Sequence, residues 1–564
     1  MLVEQGLVDR AAASAAHASS TRLGETLVAR QLVGESDLYR ALARQYGVRF
    51  VALDELVRRL DVAASDAVPR AFLEREGMLP IAKVDGDVII ATTNPIADGT
   101  DVAKVMNARG ALMCLVTPTD YRRLWMLVDV RRGRVVADRP MHAASDGADL
   151  LTGDLHSAEA RHIALFETLL LEAISERASD LHLERYGDDV RVRLRVDGDL
   201  RDLDRVRLSP QDLIGLINVI KVSANLDIAE RRVPQGGRIR RRAGDKVFDL
   251  RVQTQPSLHG EHAVIRLLPQ DSRLLTIEDI GFPPMLATEY RRMLDGPGGL
   301  LLVVGPTGSG KSTTLYAGLQ HIARDATRKA ITVEDPIEYS VVGVQQTQVR
   351  PDIGFAFADA MRAFVREDPD VILVGEIRDK ETAMEAIRAS QTGHLVLSTL
   401  HCNDAVDAVQ RLLDLGMHPN SIASELLAVF AQRLSKRICE ACRTETDPDP
   451  ALMRELFPDG APEGFRCYKG AGCEACDGYG SKGRIAAVEF LRTGPDVRRG
   501  ISKAAPLDEL RRVALDTGLV TLRDTALWLV GRGVIPLSEL PWILPIERMA
   551  PERVAADGGR IDVV

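Results

Sequence analysis

Hydrophobic and polar positions change rhythm several times along this chain, and each change marks a segment with its own predicted architecture. Near the start, Leu38, Ala41, Leu42 and Gln45 recur at helical spacing. Before them, Leu2-Val3-x-x-Gly6-Leu7-Val8 realigns on Leu27-Val28-x-x-Gln31-Leu32-Val33 at an offset of 25 residues, a degenerate repeat that a small helical bundle also explains. Residues 48–53 then predict a strand, 69–76 a helix, 79–92 a hairpin turning at Asp85-Gly86, 97–109 a helix and 112–116 a strand. This compact α/β unit ends near Val130, and the Arg-, Ala-, Ser- and Asp-rich residues 131–157 read as a linker.

A second rhythm begins at 163–177, a helix with Leu165, Leu169, Ala173 and Ile174 on one side. Strands are expected at 180–183, 190–196 and 200–203, with Asp197-Gly198 as a turn, and a helix at 211–224. Residues 232–238 (Arg-Val-Pro-Gln-Gly-Gly-Arg) read as a loop. Alternation resumes through Ile239, Val247, Leu250, Val252, Val264, Ile265 and Leu267, with 238–242 as an exposed hairpin face. From Ile277 short apolar runs at 300–304, 330–333, 371–374 and 395–400 alternate with helical stretches. That pattern predicts a doubly wound α/β core around a mainly parallel sheet. From Met417 onward the expectation is helical, with a cysteine-bearing insertion.

Chemistry concentrates where the first of those apolar runs ends. Gly305-Pro306-Thr307-Gly308-Ser309-Gly310-Lys311-Ser312-Thr313 matches G-x-x-x-x-G-K-[ST], with a buried strand before it and helix-compatible sequence after. Glycines let the backbone turn its N–H groups toward an anion, and the helix N-terminus adds positive character. Lys311 reaches the outer phosphates, and Ser312 offers a hydroxyl to Mg²⁺. A nucleoside triphosphate site is the expectation. Ligands of such sheets lie beyond the carboxyl ends of the strands, and three strands carry chemistry there. One runs into Glu334-Asp335-Pro336-Ile337-Glu338, one into Gly375-Glu376-Ile377-Arg378-Asp379, and one is bracketed by His394 and His401. Glu376 ends its strand as a Walker B acid, although Gly375 stands where an aspartate is usual. Glu338 is the first choice for positioning the attacking water.

Composition narrows the class. Of 564 residues, 45% are hydrophobic, ample for several cores, while a net charge of −9 and 4% aromatics speak against a duplex-binding face or stacking platforms for single strands. No run approaches the ~18 apolar residues of a membrane span, and the first residues lack a signal-peptide pattern. A cytoplasmic chain that reaches a membrane through a partner is expected. Of seven cysteines, Cys439-x-x-Cys442 and Cys473-x-x-Cys476 form two pairs separated by 30 residues, the ligand set of a closed structural zinc site; a disulfide is the alternative reading. Cys467 is spare.

Residues 305–313, the acidic stretch 331–339, the atypical Walker B at 372–379 and the histidine stretch 392–404, in this order, resemble the secretion ATPases of type II secretion and type IV pilus assembly (the GspE/PilB group). The resemblance extends to Ala178-Ser-Asp-Leu-His-Leu-Glu184, Pro234-Gln-Gly-Gly-Arg238, and Leu250-Arg-Val-x-Thr-x-Pro256 with Gly260-Glu261. Gly236 is a departure, where aspartate is usual. The fold it implies is a RecA-like P-loop motor domain at 277–564, with a four-cysteine zinc subdomain at 436–484. Before the motor come a smaller PAS-like α+β domain at 158–276 and an N-terminal α/β docking domain at 1–130. It implies a homo-hexameric ring using ATP and Mg²⁺, with Zn²⁺ held by the cysteines, and Arg251 and Arg266 reaching the phosphates. It also implies a peripheral place on the cytoplasmic face of the inner membrane, through the platform and docking proteins of the machine. Arg22-Leu-Gly-Glu25 resembles a cyclic-di-GMP-binding version of the docking domain. Gln31 in place of glycine and the missing Arg-Leu-Gly in the first copy speak against such sensing. The rival class is a nucleic-acid-translocating RecA-like ATPase, and a nucleotide-dependent scaffold without turnover is a third reading.

Overall fold

The computed structural model describes residues 28, 32–131, 158–204, 206–243, 246–269 and 274–552. The repeat over residues 2–33 and its Arg22-Leu-Gly-Glu25 segment lie almost wholly outside them. Two units, Met1–Asp271 and Ser272–Val564, divide the chain.

The first unit holds two sheets. β1 (Arg49–Phe50), β2 (Met78–Val84), β3 (Asp87–Thr92) and β4 (Ala111–Leu115) lie in the order β1-β4-β3-β2. The β2–β3 hairpin turns at Asp85 and Gly86, both with positive φ, as a two-residue turn requires. The strand expected at 48–53 shortens to two residues, because Leu53 opens the helix Leu53–Arg59. The helix expected at 97–109 is only Thr100–Val105, since Asp98 Oδ1 accepts from the Thr100 N–H at 2.9 Å and starts it there.

The second sheet is antiparallel. Its strands are β5 (Asp180–Tyr186), β6 (Asp189–Val196), β7 (Asp199–Asp202), β8 (Gln235–Ala243), β9 (Lys246–Ser257) and β10 (Gly260–Pro269), in the order β7-β6-β5-β10-β9-β8. Helices Ala158–Ser175 and Pro210–Ser223 pack Phe166, Leu169, Leu213 and Ile217 against Leu181, Leu250 and Ile265 on one face. The loop expected at 232–238 ends early: Gln235 to Arg238 already pair with β9, so Arg238 is a sheet residue.

The second unit is built on seven strands: β11 (Gly299–Val304), β12 (Ala330–Glu334), β13 (Val344–Gln348), β14 (Val371–Val374), β15 (Leu395–Leu400), β16 (Leu426–Ile438) and β19 (Ser481–Arg492). A separate two-stranded hairpin, β17 (Arg443–Thr446) and β18 (Cys467–Gly470), lies between the last two in sequence. The large sheet runs β13-β12-β14-β15-β11-β16-β19, parallel except for β19 against β16. Two apolar layers cover it, one on each face. The helical expectation after Met417 is therefore wrong for β16 and β19. Leu426-Leu-Ala-Val-Phe-Ala431 is buried on both sides of a parallel sheet, so it lacks the alternation that reveals a half-exposed strand.

Candidate active site

β11 is buried throughout and delivers the chain to Gly305. There φ is +147°, and a Cβ would stand 2.6 Å from both the Gln432 carbonyl oxygen and Ser309 Oγ, so no side chain fits. Gly310 caps the helix Lys311–Ile322 in the left-handed region at φ +88°. Ser312 and Thr313 are exposed in its first turn, where backbone N–H groups have no partner within the helix. Lys311 Nζ donates to the carbonyl oxygens of Gly305 (2.9 Å) and Pro306 (3.0 Å), folding the ammonium over the loop. Burial lowers its pKa, and the nearby Glu376 carboxylate opposes that shift.

A residue that sequence reasoning missed braces this loop. Gln432 of β16 is buried; its Nε2 donates to the Ser309 carbonyl at 2.7 Å, and its Oε1 accepts from Thr314 Oγ1 at 2.9 Å. From the other side the fully buried Tyr290 donates to the Thr314 carbonyl at 3.0 Å, and burial raises its pKa. The signal for Gln432 was a polar residue ending an apolar run. It counts only once that run is known to be a central strand.

Parallel register brings the acids to the same edge. Val304 lies opposite Leu400, Val374 opposite Ser398, and Val333 opposite Val374. Glu334, Glu376 and His401 therefore leave their strands together, beside Gly305. Glu376 is met by Arg378 Nη2 at 2.5 Å and lies 3.6 Å from His401 Nε2. Thr399 Oγ1 donates to the Gly375 carbonyl at 2.8 Å and holds that turn. Glu334 is buried; it accepts from Tyr316 Oη, from Thr332 Oγ1 at 2.5 Å and from Gln346 Nε2 at 3.1 Å. Tyr316, also missed, accepts from the Glu338 N–H at 3.2 Å and so ties the phosphate-loop helix to both glutamates. Burial first, and the Glu334 charge second, push its hydroxyl up. Asp335 is exposed beyond them.

The loop carrying His401 is held from below. Asp404 engages Arg548 at 2.6 Å, and the buried Glu489 accepts from the Ala405 N–H at 3.0 Å while facing Arg511 at 3.4 Å.

His394 is corrected. It precedes the first residue of β15, and its carbonyl accepts from the Gly299 N–H at 3.0 Å, at the entry of β11. Its Nδ1 lies 2.9 Å from the Ala389 carbonyl oxygen. A strand of this length spans about 20 Å, which places His394 at the opposite edge from Gly305. It satisfies a helix end there.

Arg251 and Arg266 belong to the first unit, on adjacent strands and directly opposite each other. Arg266 Nε meets Asp180 Oδ1 at 3.1 Å and is 55% exposed.

The four paired cysteines converge. Cys439 and Cys473 Sγ are 3.9 Å apart, Cys442 and Cys476 3.8 Å, and Cys473 and Cys476 3.7 Å; all four sulfurs lie within 4.8 Å of one another. A tetrahedron of thiolates at about 2.3 Å from zinc has edges of about 3.8 Å, so the donor set fits that ion. Backbone N–H groups of Cys473 (3.3 Å) and Gly480 (3.2 Å) point at Cys476 Sγ, the outer hydrogen bonding that such thiolates use. Cys467 lies apart, in an apolar cluster where burial raises its thiol pKa.

The family described as "Type II/IV secretion system protein" matches residues 156–541. The chain belongs to that family. Residues 26–126 match the MshEN domain, so the architecture is an α/β secretion-ATPase fold with an N-terminal MshEN domain. The type IV pilus assembly ATPase PilB of Thermus thermophilus is 37% identical over 92% of this chain; the match spans 58% of that longer protein. The type II secretion system ATPase E of Vibrio cholerae is 43% identical over 68% of this chain and 75% of its own. PilB of Myxococcus xanthus is 33% identical over 98% and 99%. The chain is an ATPase of this secretion and pilus-assembly class. Among the described residues no helix is long and apolar enough to cross a membrane.

Proposed function

We propose that this ATPase works as a hexameric ring on the cytoplasmic face of the inner membrane, turning ATP hydrolysis into a mechanical stroke for type II secretion or type IV pilus assembly. The observation that carries the reading is the shared register of Gly305, Glu334, Glu376 and His401 along one sheet edge. In it the loop 305–313 holds the phosphates through backbone N–H groups and Lys311. Ser312 and Glu376, oxygen donors at that edge, would hold Mg²⁺, which neutralises charge on the β- and γ-oxygens when bound. Glu338 orients the attacking water, Glu334 fixes Tyr316 beside it, and His401 sets the Glu376 carboxylate. Arg251 and Arg266 supply positive charge to the phosphates, as the family resemblance implies.

The four cysteines hold zinc structurally, with no position open for chemistry. Residues 1–130 dock to a platform protein, 131–157 link them to the PAS-like domain at 158–276, and the motor fills 277–564. Docking is the role proposed for the N-terminal domain, and calorimetry with cyclic-di-GMP tests whether that domain also binds this nucleotide, micromolar binding adding sensing to its role.

A phosphate-release assay on the purified chain tests the hydrolytic assignments. Glu338→Gln should lower kcat by about 10²–10⁴-fold, the range for loss of a positioned acid–base group, with KM for ATP little changed. Wild-type turnover in that variant would remove Glu338 from the role, and stimulation by DNA instead of by membranes would move the protein to the rival class. For the cysteines, purified protein should contain one zinc per chain by elemental analysis. Its removal by a strong chelator should expose four titratable thiols and unfold the β17–β18 hairpin. Protein free of zinc with that hairpin intact would overturn the assignment.

A further inference from the structure

His401 stands on irregular backbone. β15 ends at Leu400 and the next helix opens at Asp407, so residues 401–406 belong to neither strand nor helix. The exposed His401 side chain nonetheless meets Glu376 at 3.6 Å. What fixes this loop comes from distant parts of the second unit.

Asp404 is the centre of the arrangement. Its Oδ1 accepts from the Val406 and Asp407 N–H groups at 2.9 and 2.8 Å, closing the turn after His401, and its Oδ2 accepts from Arg548 Nη2 at 2.6 Å. Arg433, the residue after Gln432 on β16, donates through Nη2 to the Asn403 carbonyl at 2.9 Å. Glu489 of β19 takes the Ala405 N–H at 3.0 Å. Arg511, from the helix Leu507–Asp516, lies 3.4 Å from Glu489 and 3.7 Å from Asp404, and donates to the Glu552 carboxylate at 2.5 and 2.7 Å. The segment 545–552 is thus tied at two points, by Arg548 to the loop and by Glu552 to the arginine beneath it.

Asp404 and Glu489 are buried. Buried ion pairs add little stability over apolar packing of the same volume, so stability does not account for charged groups here. What they add is direction, because hydrogen bonds fix angles that apolar contacts leave free. A reacting group displaced by about 1 Å can lose about 10²-fold in rate, and Asp404 follows His401 within one turn of chain.

We propose that Arg548 is a positioning residue for the hydrolytic site: through Asp404, the segment 545–552 holds His401 against Glu376. This deepens the reading that His401 sets the Glu376 carboxylate, and rests on it. The full-length chain tests it. Arg548→Ala should lower kcat for ATP about 10–100-fold and leave KM within about twofold of wild type, since no group that meets nucleotide is removed. Arg548→Lys keeps a cation for Asp404 and should recover much of the loss. Asp404→Asn keeps an oxygen for the Val406 and Asp407 N–H groups, loses the ion pair, and should resemble Arg548→Ala. Ile546→Ala, which trims an exposed side chain of the same segment, should stay within about twofold of wild type.

Two readouts separate positioning from a general loss of structure. Hydrogen exchange of the 401–407 amides should quicken about tenfold or more in Arg548→Ala, while β16 keeps its wild-type protection. In a His401→Ala background, Arg548→Ala should cost no further kcat, because a residue acting through His401 has nothing left to position. If β16 loses protection too, Asp404→Asn takes the place of Arg548→Ala in the same cycle. Wild-type kcat in Arg548→Ala, unchanged exchange in the loop, or the same loss repeated in full without His401 overturns the inference alone, provided His401→Ala has itself lost turnover. If His401→Ala turns over at the wild-type rate, the reading of His401 falls and the inference with it.

Discussion

Lys311→Ala should leave a folded protein that neither binds ATP appreciably nor releases phosphate. The side chain makes its hydrogen bonds with the carbonyl oxygens of Gly305 and Pro306, within the loop itself. The loop is braced independently by Gln432 and Tyr290 through Ser309 and Thr314. Removing the ammonium therefore costs little structure. It removes a charge already disfavoured by burial, which a phosphate tail would satisfy. Charge-assisted hydrogen bonds are worth about 1.5–3 kcal/mol each, so losing two or three weakens nucleotide binding by several hundredfold or more. Calorimetry for binding, a phosphate-release assay for turnover and circular dichroism for the fold separate the three effects. Full turnover in this variant would end the motor reading.

The second large effect is expected at Arg266. Arg266→Ala should bind ATP with near-normal affinity and lose about 10³-fold or more in kcat, the scale on which an arginine reaching the transferring phosphoryl group acts. The variant should still fold: Arg266 is itself more than half exposed, and the buried Asp180 that it leaves behind keeps the hydrogen bond that Ser179 Oγ donates at 2.7 Å. Arg266→Lys should not restore the rate, since a point charge lacks the planar fork. Single-turnover phosphate release beside equilibrium nucleotide binding makes the split visible. Equal losses in affinity and rate would show Arg266 to be a binding residue only.

Legibility in the sequence followed burial and motif spacing. β11, β12, β14 and β15 were readable because each is a short apolar run bounded by turn residues, with its chemistry at the exit. β13, Val344-Gln-Gln-Thr-Gln348, was not, since a polar edge strand carries no hydrophobic signal and is recruited by its neighbour β12. β16 hid for the opposite reason, being apolar on both faces. With it went Gln432, whose place beside the phosphate loop comes from pairing with β11, at a separation of more than a hundred residues. His394 and His401 look equivalent in sequence as brackets of one strand. The parallel sheet sends only the second toward Gly305.

The amino-acid order by itself determined the local events: the strand-to-helix turn that only glycine can make at Gly305, and a lysine placed to follow it. It likewise set the carboxylates at strand exits and two cysteine pairs able to form a knuckle. These depend on contacts between near neighbours, so spacing alone encodes them. Tertiary structure decided which distant groups share a place: Gln432 and Tyr316 at the phosphate loop, four sulfurs within 4.8 Å, and Arg251 opposite Arg266 on adjacent strands. Those outcomes depend on strand order and register. Both are set by how the whole apolar surface of each unit packs, and no single stretch of the chain contains that information.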